Sequence, residues 1–155
     1  MDLPNSWLSL FDGTGLEDKL HLSTLIATVD DLSRPHLAFL SAGEVLVWHP
    51  RRIAVALWPT SRSTANFRRM GHATLYGVAE GSVWEVRLHL KRQNNGEWAL
   101  FDTDVEVVTR HTAPYAEVTG LVGYRLVDPV TATDRWRKQI ARLREFATTS
   151  PLTEI

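Results

Sequence analysis

The sequence predicts a mainly β domain: a small antiparallel barrel or sandwich of about six strands, with a short helix after the fourth strand and another at the C-terminal end. Three observations carry this. Short segments rich in Val, Ile, Leu and Thr follow one another through the first half of the chain, separated by turns containing Asp, Gly or Pro. Val83 to Lys91 alternates strictly, with Trp84, Val86, Leu88 and Leu90 on one face and Glu85, Arg87, His89 and Lys91 on the other. Near the end, Trp136, Ile140 and Leu143 recur at helical spacing among basic residues.

The elements follow in chain order. Asn5 or Ser6 is placed to cap a short helical turn carrying Trp7, Leu8, Leu10 and Phe11, ended by Gly13 and Gly15. His21 to Val29 reads as a strand. Asp30 to Pro35 is a turn, because Asp side chains close local turns and Pro35 biases Arg34 to an extended conformation. His36 to Ser41, Glu44 to His49 and Arg52 to Trp58 are three further strands. The last of them is almost wholly apolar and is expected to be buried on both faces. Ser61 and Ser63 are N-cap candidates for a helix over Thr64 to Met70, with Gly71 at its C-terminal side. His72 to Ala79 is a fifth strand, Val83 to Lys91 a sixth, and Asn94-Asn95-Gly96 a turn. From Trp98 to Val108 the pattern is divided: Leu100, Phe101, Val105 and Val108 fit a helix, Phe101, Val105 and Val107 also fit a strand, and the balance leans to helix. Thr119 to Val127 reads as a strand, broken by Asp128-Pro129. Thr131 or Thr133 then caps the last helix, and Pro151 follows its end.

A chain of 155 residues fits a single domain, 1–155, without repeats or low-complexity segments. The absence of Cys excludes a disulfide framework, a thiolate zinc site and a cysteine nucleophile, and accords with the cytoplasm. With 17 basic and 18 acidic residues, bulk charge gives no reason to expect nucleic acid or an anionic membrane as partner. No apolar run approaches the ~20 residues of a membrane span. The first residues lack the basic and apolar regions of a signal peptide.

Trp58 to Asn66 is the most informative stretch. A buried strand ends, a polar turn follows and a helix begins, so unpaired N–H groups of a helix N-terminus are presented to solvent, where they attract anions. Thr60, Ser61, Ser63 and Thr64 add hydroxyls, Arg62 a guanidinium and Asn66 an amide. Hydrogen bonds to a charged group contribute roughly 1.5–3 kcal/mol each, so a few would anchor a phosphate. Ser and Thr before a helix also serve as plain caps.

The ordered series His21 to Asp30, Arg34-Pro35-His36, Ser41 to Val47 and Ser61-Arg-Ser-Thr-Ala-Asn66-Phe67 resembles the pyridoxamine 5′-phosphate oxidase-like family. The resemblance implies a split β-barrel of antiparallel, Greek-key type that binds FMN, in a homodimer with the flavin between subunits. It puts His36 and Ser41 beside the isoalloxazine ring, and Leu57 and Trp58 near the ring and ribityl chain. It puts the phosphate on Thr60, Ser61, Arg62, Ser63, Thr64 and Asn66. The implied activity is that of a flavin-dependent oxidoreductase on a small molecule. Ser63 stands where the family usually has Lys, and His36 and Ser41 where the oxidases have Arg and Lys. The missing Lys at Ser63 motivates an alternative: a non-catalytic module on the same fold for haem, a deazaflavin or another ligand, or simply a partner.

No catalytic acid or base is recognisable by spacing. The six His form no metal-ligand pair at helical spacing with a carboxylate, so no metal is expected. Asp102, Asp104 and Glu106, without neighbouring His, read as a solvated acidic face, with paired-carboxylate catalysis as the alternative. The basic residues of the last helix surround its apolar stripe and read as a solvated face rather than a nucleic-acid surface.

Overall fold

The computed structural model describes residues 2–149, so the expectation for Pro151 falls outside the described residues. In chain order the elements are α1 (Asn5–Leu10), β1 (Ser23–Val29), β2 (Pro35–Ser41), β3 (Val45–His49), β4 (Arg52–Leu57), α2 (Arg62–Met70), β5 (His72–Ala79), β6 (Ser82–Asn94), β7 (Ala99–His111) and α3 (Pro129–Thr148). The strands form one antiparallel seven-stranded sheet in the order β2-β1-β5-β6-β7-β4-β3. β2 and β3 are consecutive in the chain yet lie at opposite edges. The tight turn between them, closed by the Glu44 N–H to the Ser41 carbonyl at 3.1 Å, requires the sheet to curl until its edges approach. This is the split barrel that the resemblance implies.

Two apolar clusters explain which residues face where. Inside the curl lie Trp7, Ile26, Val55, Phe67, Leu75 and Phe101, with their neighbours. On the outer side of the β3-β4-β7 edge, Leu46, Ala54, Ala56 and Leu100 meet Trp136, Ile140 and Leu143 of α3. β4 therefore gives Ile53, Val55 and Leu57 to one cluster and Ala54 and Ala56 to the other, as its unbroken apolar sequence predicts. Gly43 lets α3 approach: a Cβ there would lie 2.2 Å from Cγ of Trp136.

Four expectations are corrected. Residues 98–108 are not a helix but most of β7. Its first half is buried on both faces, which erases the alternation. An extra residue at Glu106 then shifts the register, because Arg87 pairs with Val107 and Leu88 with Val105. The shift points both Val105 and Val108 inward, three residues apart, and so imitates a helical stripe. Thr119 to Val127 is not a strand, because no strand among the described residues pairs with it. It is tethered instead by Ser23 Oγ donating to the Val122 carbonyl at 3.2 Å and Tyr124 Oη donating to the Leu22 carbonyl at 2.9 Å. The cap of α3 is Asp128, whose carboxylate accepts from the Thr131 N–H at 3.2 Å and the Thr131 hydroxyl at 2.7 Å; Thr131 and Thr133 lie inside the helix. α1 starts at Asn5 after Pro4 without a side-chain cap, so neither Asn5 nor Ser6 is one. Among the described residues no helix is long and apolar enough to cross a membrane.

Candidate functional site

α2 begins where β4 leaves the sheet. Ser61 is its N-cap: its Oγ accepts from the Thr64 N–H at 3.2 Å. The Thr64 hydroxyl donates to the Trp58 carbonyl at 2.6 Å, which fastens the turn to the strand end. Gly71, at a φ of 70°, closes the other end. Two bonds then attach α2 to the end of β1. Asn66 Nδ2 donates to Thr28 Oγ1 at 3.1 Å in a buried site, and Arg69 Nη2 donates to the Val29 carbonyl at 2.5 Å.

Between α2 and the β1–β2 turn lies a cleft of about 610 Å³, with Arg34, His36, Arg62, Asn66 and Arg69 on its walls. Asp30, Asp31, Pro35 and Ala65 complete it. This volume falls within the roughly 300–1,000 Å³ of small-molecule sites. The turn is built by Asp30, whose carboxylate accepts from the Leu32 and Arg34 N–H groups at 2.9 Å each and pairs with Arg34 Nε at 2.9 Å. The Arg34 amide, then the Arg34 guanidinium and the Leu32 amide, hold the Asp30 carboxyl below the ordinary carboxylate range. Arg62 is exposed and makes no hydrogen bond or ion pair among the described residues, which leaves its guanidinium available to an anion.

The sequence-predicted residues divide into three groups. His36, Arg62 and Asn66 share the cleft. Trp58 is 64% exposed at the end of β4, followed by exposed Thr60 and half-buried Ser61 at the entry to α2. The remaining four are buried. Ser63 is inside α2 rather than its cap, with an Oγ that finds no partner, and Thr64 spends its hydroxyl on the turn. Leu57 belongs to the inner core. Ser41 donates from Oγ to Glu44 Oε1 at 2.8 Å in the β2–β3 turn. Asn66 is itself 4% exposed, with its amide committed to Thr28, so it positions the cleft more than it lines it. Arg34 is the residue that sequence reasoning passed over. Its signal was the Asp30-to-Arg34 turn, but only the packing of α2 on β1 brings that turn to Arg62. Arg68 is turned away, bonded to Gln93 Oε1 at 3.1 Å and to Asn95 Oδ1 at 2.5 Å.

The acidic residues of β7 are not one solvated face. Asp102 is fully buried, paired with Arg52 and accepting from Trp48 Nε1 at 3.0 Å. Glu106 lies beside His72 and His89.

A curled seven-stranded sheet with a cleft at the helix after the fourth strand defines a split-barrel domain, and solved structures share the fold. An FMN-binding protein from Syntrophomonas wolfei subsp. wolfei superposes with a TM-score of 0.52 at 13% identity, over 70% of this chain and 88% of that one. An F420 reductase superposes with a TM-score of 0.52 at 10% identity, over 69% of this chain and 98% of that one. No family model matches the sequence. The chain belongs to the family of the uncharacterized protein YclD of Bacillus subtilis (strain 168), to which it is 30% identical over 140 residues, 87% of this chain and 91% of that protein.

Proposed function

We propose that the cleft binds FMN and that the protein is a flavin-dependent oxidoreductase acting on a small molecule, working in the cytoplasm as a homodimer with the site between subunits. The observation that carries this reading is the unpaired guanidinium of Arg62 at the first residue of α2, above a cleft shared with Arg34, His36 and Arg69. The N–H groups of Arg62 and Ser63 open the helix and have no acceptor within it. With Arg62 and the hydroxyls of Thr60 and Ser61, they form a donor set suited to a phosphate. Thr64 and Asn66 hold that turn rigid through Trp58 and Thr28. His36 stands on β2 as a donor for a ring carbonyl. When bound, the flavin supplies the redox chemistry. The chain's residues bind it, orient it and exclude water.

A dimer is supported by the outer row of β2. Leu37 and Phe39 are 58% and 57% exposed on this edge strand, an apolar surface that calls for a cover. The S. wolfei protein, by its name, connects the shared fold with FMN, and the F420 reductase connects it with F420.

The experiment is direct. Purified protein is inspected for flavin absorption and fluorescence, stripped and titrated with FMN, and its mass in solution is measured by light scattering. Saturable FMN binding to a dimer is expected. Colourless protein indifferent to saturating FMN would overturn the reading. A second reading, a non-catalytic module for haem, a deazaflavin or another ligand, is favoured by one observation: Asp30 and Asp31 offset part of the cleft's positive charge, and Ser63 supplies none. Under it, thermal stabilisation follows that other ligand and not FMN.

A further inference from the structure

On the outer face of the sheet, outside the lining of the cleft beside α2, β5, β6 and β7 bring His72, His89 and Glu106 together. We propose that these three side chains form a binding site for a divalent transition-metal ion of the Zn²⁺ type. His72 and His89 are direct cross-strand partners, with ring centroids 5.1 Å apart. Glu106 Oε1 lies 3.6 Å from His89 Nδ1 and 4.0 Å from His72 Nδ1. One ligand atom from each residue falls within 4.8 Å of the other two. Nitrogen and oxygen ligands at about 2.0–2.2 Å from zinc sit about 3.3 Å apart in a tetrahedron, so small side-chain rotations close the set.

The backbone is shaped for this convergence. In an unbroken ladder the residues facing Arg87 and Leu88 would be consecutive, yet they are Val107 and Val105. Glu106 is the extra residue of a β-bulge, and a bulge turns a side chain to where the regular pleat would not send it. Here it turns the carboxylate toward two imidazoles.

The charges around the set point the same way. Asp104 is occupied by Arg52 Nε and Lys91 Nζ, each at 3.3 Å, and Arg87 Nε lies 3.4 Å from Glu85. Among the described residues Glu106 has no Lys or Arg partner, only the two His. His89 Nδ1 is buried as an atom and makes no hydrogen bond. Neutral imidazole and carboxylate together suit zinc, nickel and copper, and three protein ligands leave a coordination position for water or an exogenous group. Sequence spacing conceals the set because its members lie on three strands rather than on one helix.

The test is a calorimetric titration of the full chain with Zn²⁺, repeated on His89→Ala, Glu106→Gln and, as controls, His49→Ala and His111→Ala. All four positions are at least partly exposed, and circular dichroism verifies that each variant is folded. One Zn²⁺ per chain is expected, retained by the controls. Loss even of an outer partner of a metal site costs about 10–100-fold in affinity, so loss of a ligand should weaken binding by at least that much. Absence of one-to-one binding, or equal binding by His89→Ala and Glu106→Gln, would overturn the proposal. Co²⁺ substitution gives a second readout, since visible absorption bands should form with the wild type and not with His89→Ala.

Discussion

Arg62 and Asn66 lie four residues apart on α2, and their substitution should separate ligand binding from folding. Arg62 is exposed and unpaired, so Arg62→Ala should change stability by no more than about 0.5 kcal/mol. If it holds a phosphate, the loss is that of hydrogen bonds to a charged group, roughly 1.5–3 kcal/mol. At about 1.4 kcal/mol per tenfold, FMN affinity should fall roughly 10–150-fold. Riboflavin, which lacks the phosphate, should bind both proteins equally. Asn66→Ala should act the other way. Its amide is bonded to Thr28, itself 2% exposed, and the substitution strands that hydroxyl. The cost is about 1–3 kcal/mol, or a fall of roughly 2–12 °C in melting temperature. Fluorescence titration with FMN and riboflavin, alongside thermal unfolding, measures all four quantities. If Arg62→Ala weakened riboflavin as much as FMN, or left both unchanged, the assignment of Arg62 to the phosphate would be wrong.

Gly43→Ala should destabilise by about 1–3 kcal/mol or more in urea unfolding, because a Cβ 2.2 Å from Trp136 forces α3 off the sheet; Trp136→Leu in the same chain should recover part of the loss. Asp102→Ala should cost about 3–5 kcal/mol, since it leaves the largely buried Arg52 with Asp104 as its one remaining carboxylate among the described residues; equal stability by chemical denaturation would contradict the pairing. The hydroxyl and amide of Thr131 hold the Asp128 carboxyl below its ordinary 3.8, so the folded state binds this proton less readily than the unfolded chain. The resulting stability is complete above the unfolded pKa and is lost as pH falls through the lower folded value. Asp128→Asn, which keeps a capping oxygen, should flatten the acid limb of a stability–pH curve, and an unchanged limb would show that other carboxylates set it.

Much of this architecture is readable from residue types. The turn at Asp30–Pro35, the doubly buried strand before Trp58, the Ser61 cap and the Gly71 stop are local chemistry, and each is found where the sequence places it. The stripe of Trp136, Ile140 and Leu143 is also local. β7 was not readable, because double burial and the bulge at Glu106 replace its period of two with a spacing that imitates a helix. The stretch from Thr119 to Val127 misleads for the opposite reason: strand-forming residues need a partner strand, and the topology supplies none. At the candidate site, residue type announced Arg62 and Ser61. Whether a polar side chain faces the cleft or the interior depends on packing. Thr64 and Asn66 are spent on Trp58 and Thr28, and Arg34 arrives from another hairpin.

The strand order β2-β1-β5-β6-β7-β4-β3 also bears on how quickly the chain folds. β1–β2, β3–β4 and the β5-β6-β7 meander are each pairings of sequence neighbours, whereas β1–β5 and β4–β7 join distant segments. Closing those two seams costs loop entropy before their contacts form, so they should limit the rate. α3 docks on the β3-β4-β7 edge, and therefore only after the second seam exists. Weakening Leu143 should then speed unfolding in stopped-flow measurements and leave the refolding rate almost untouched.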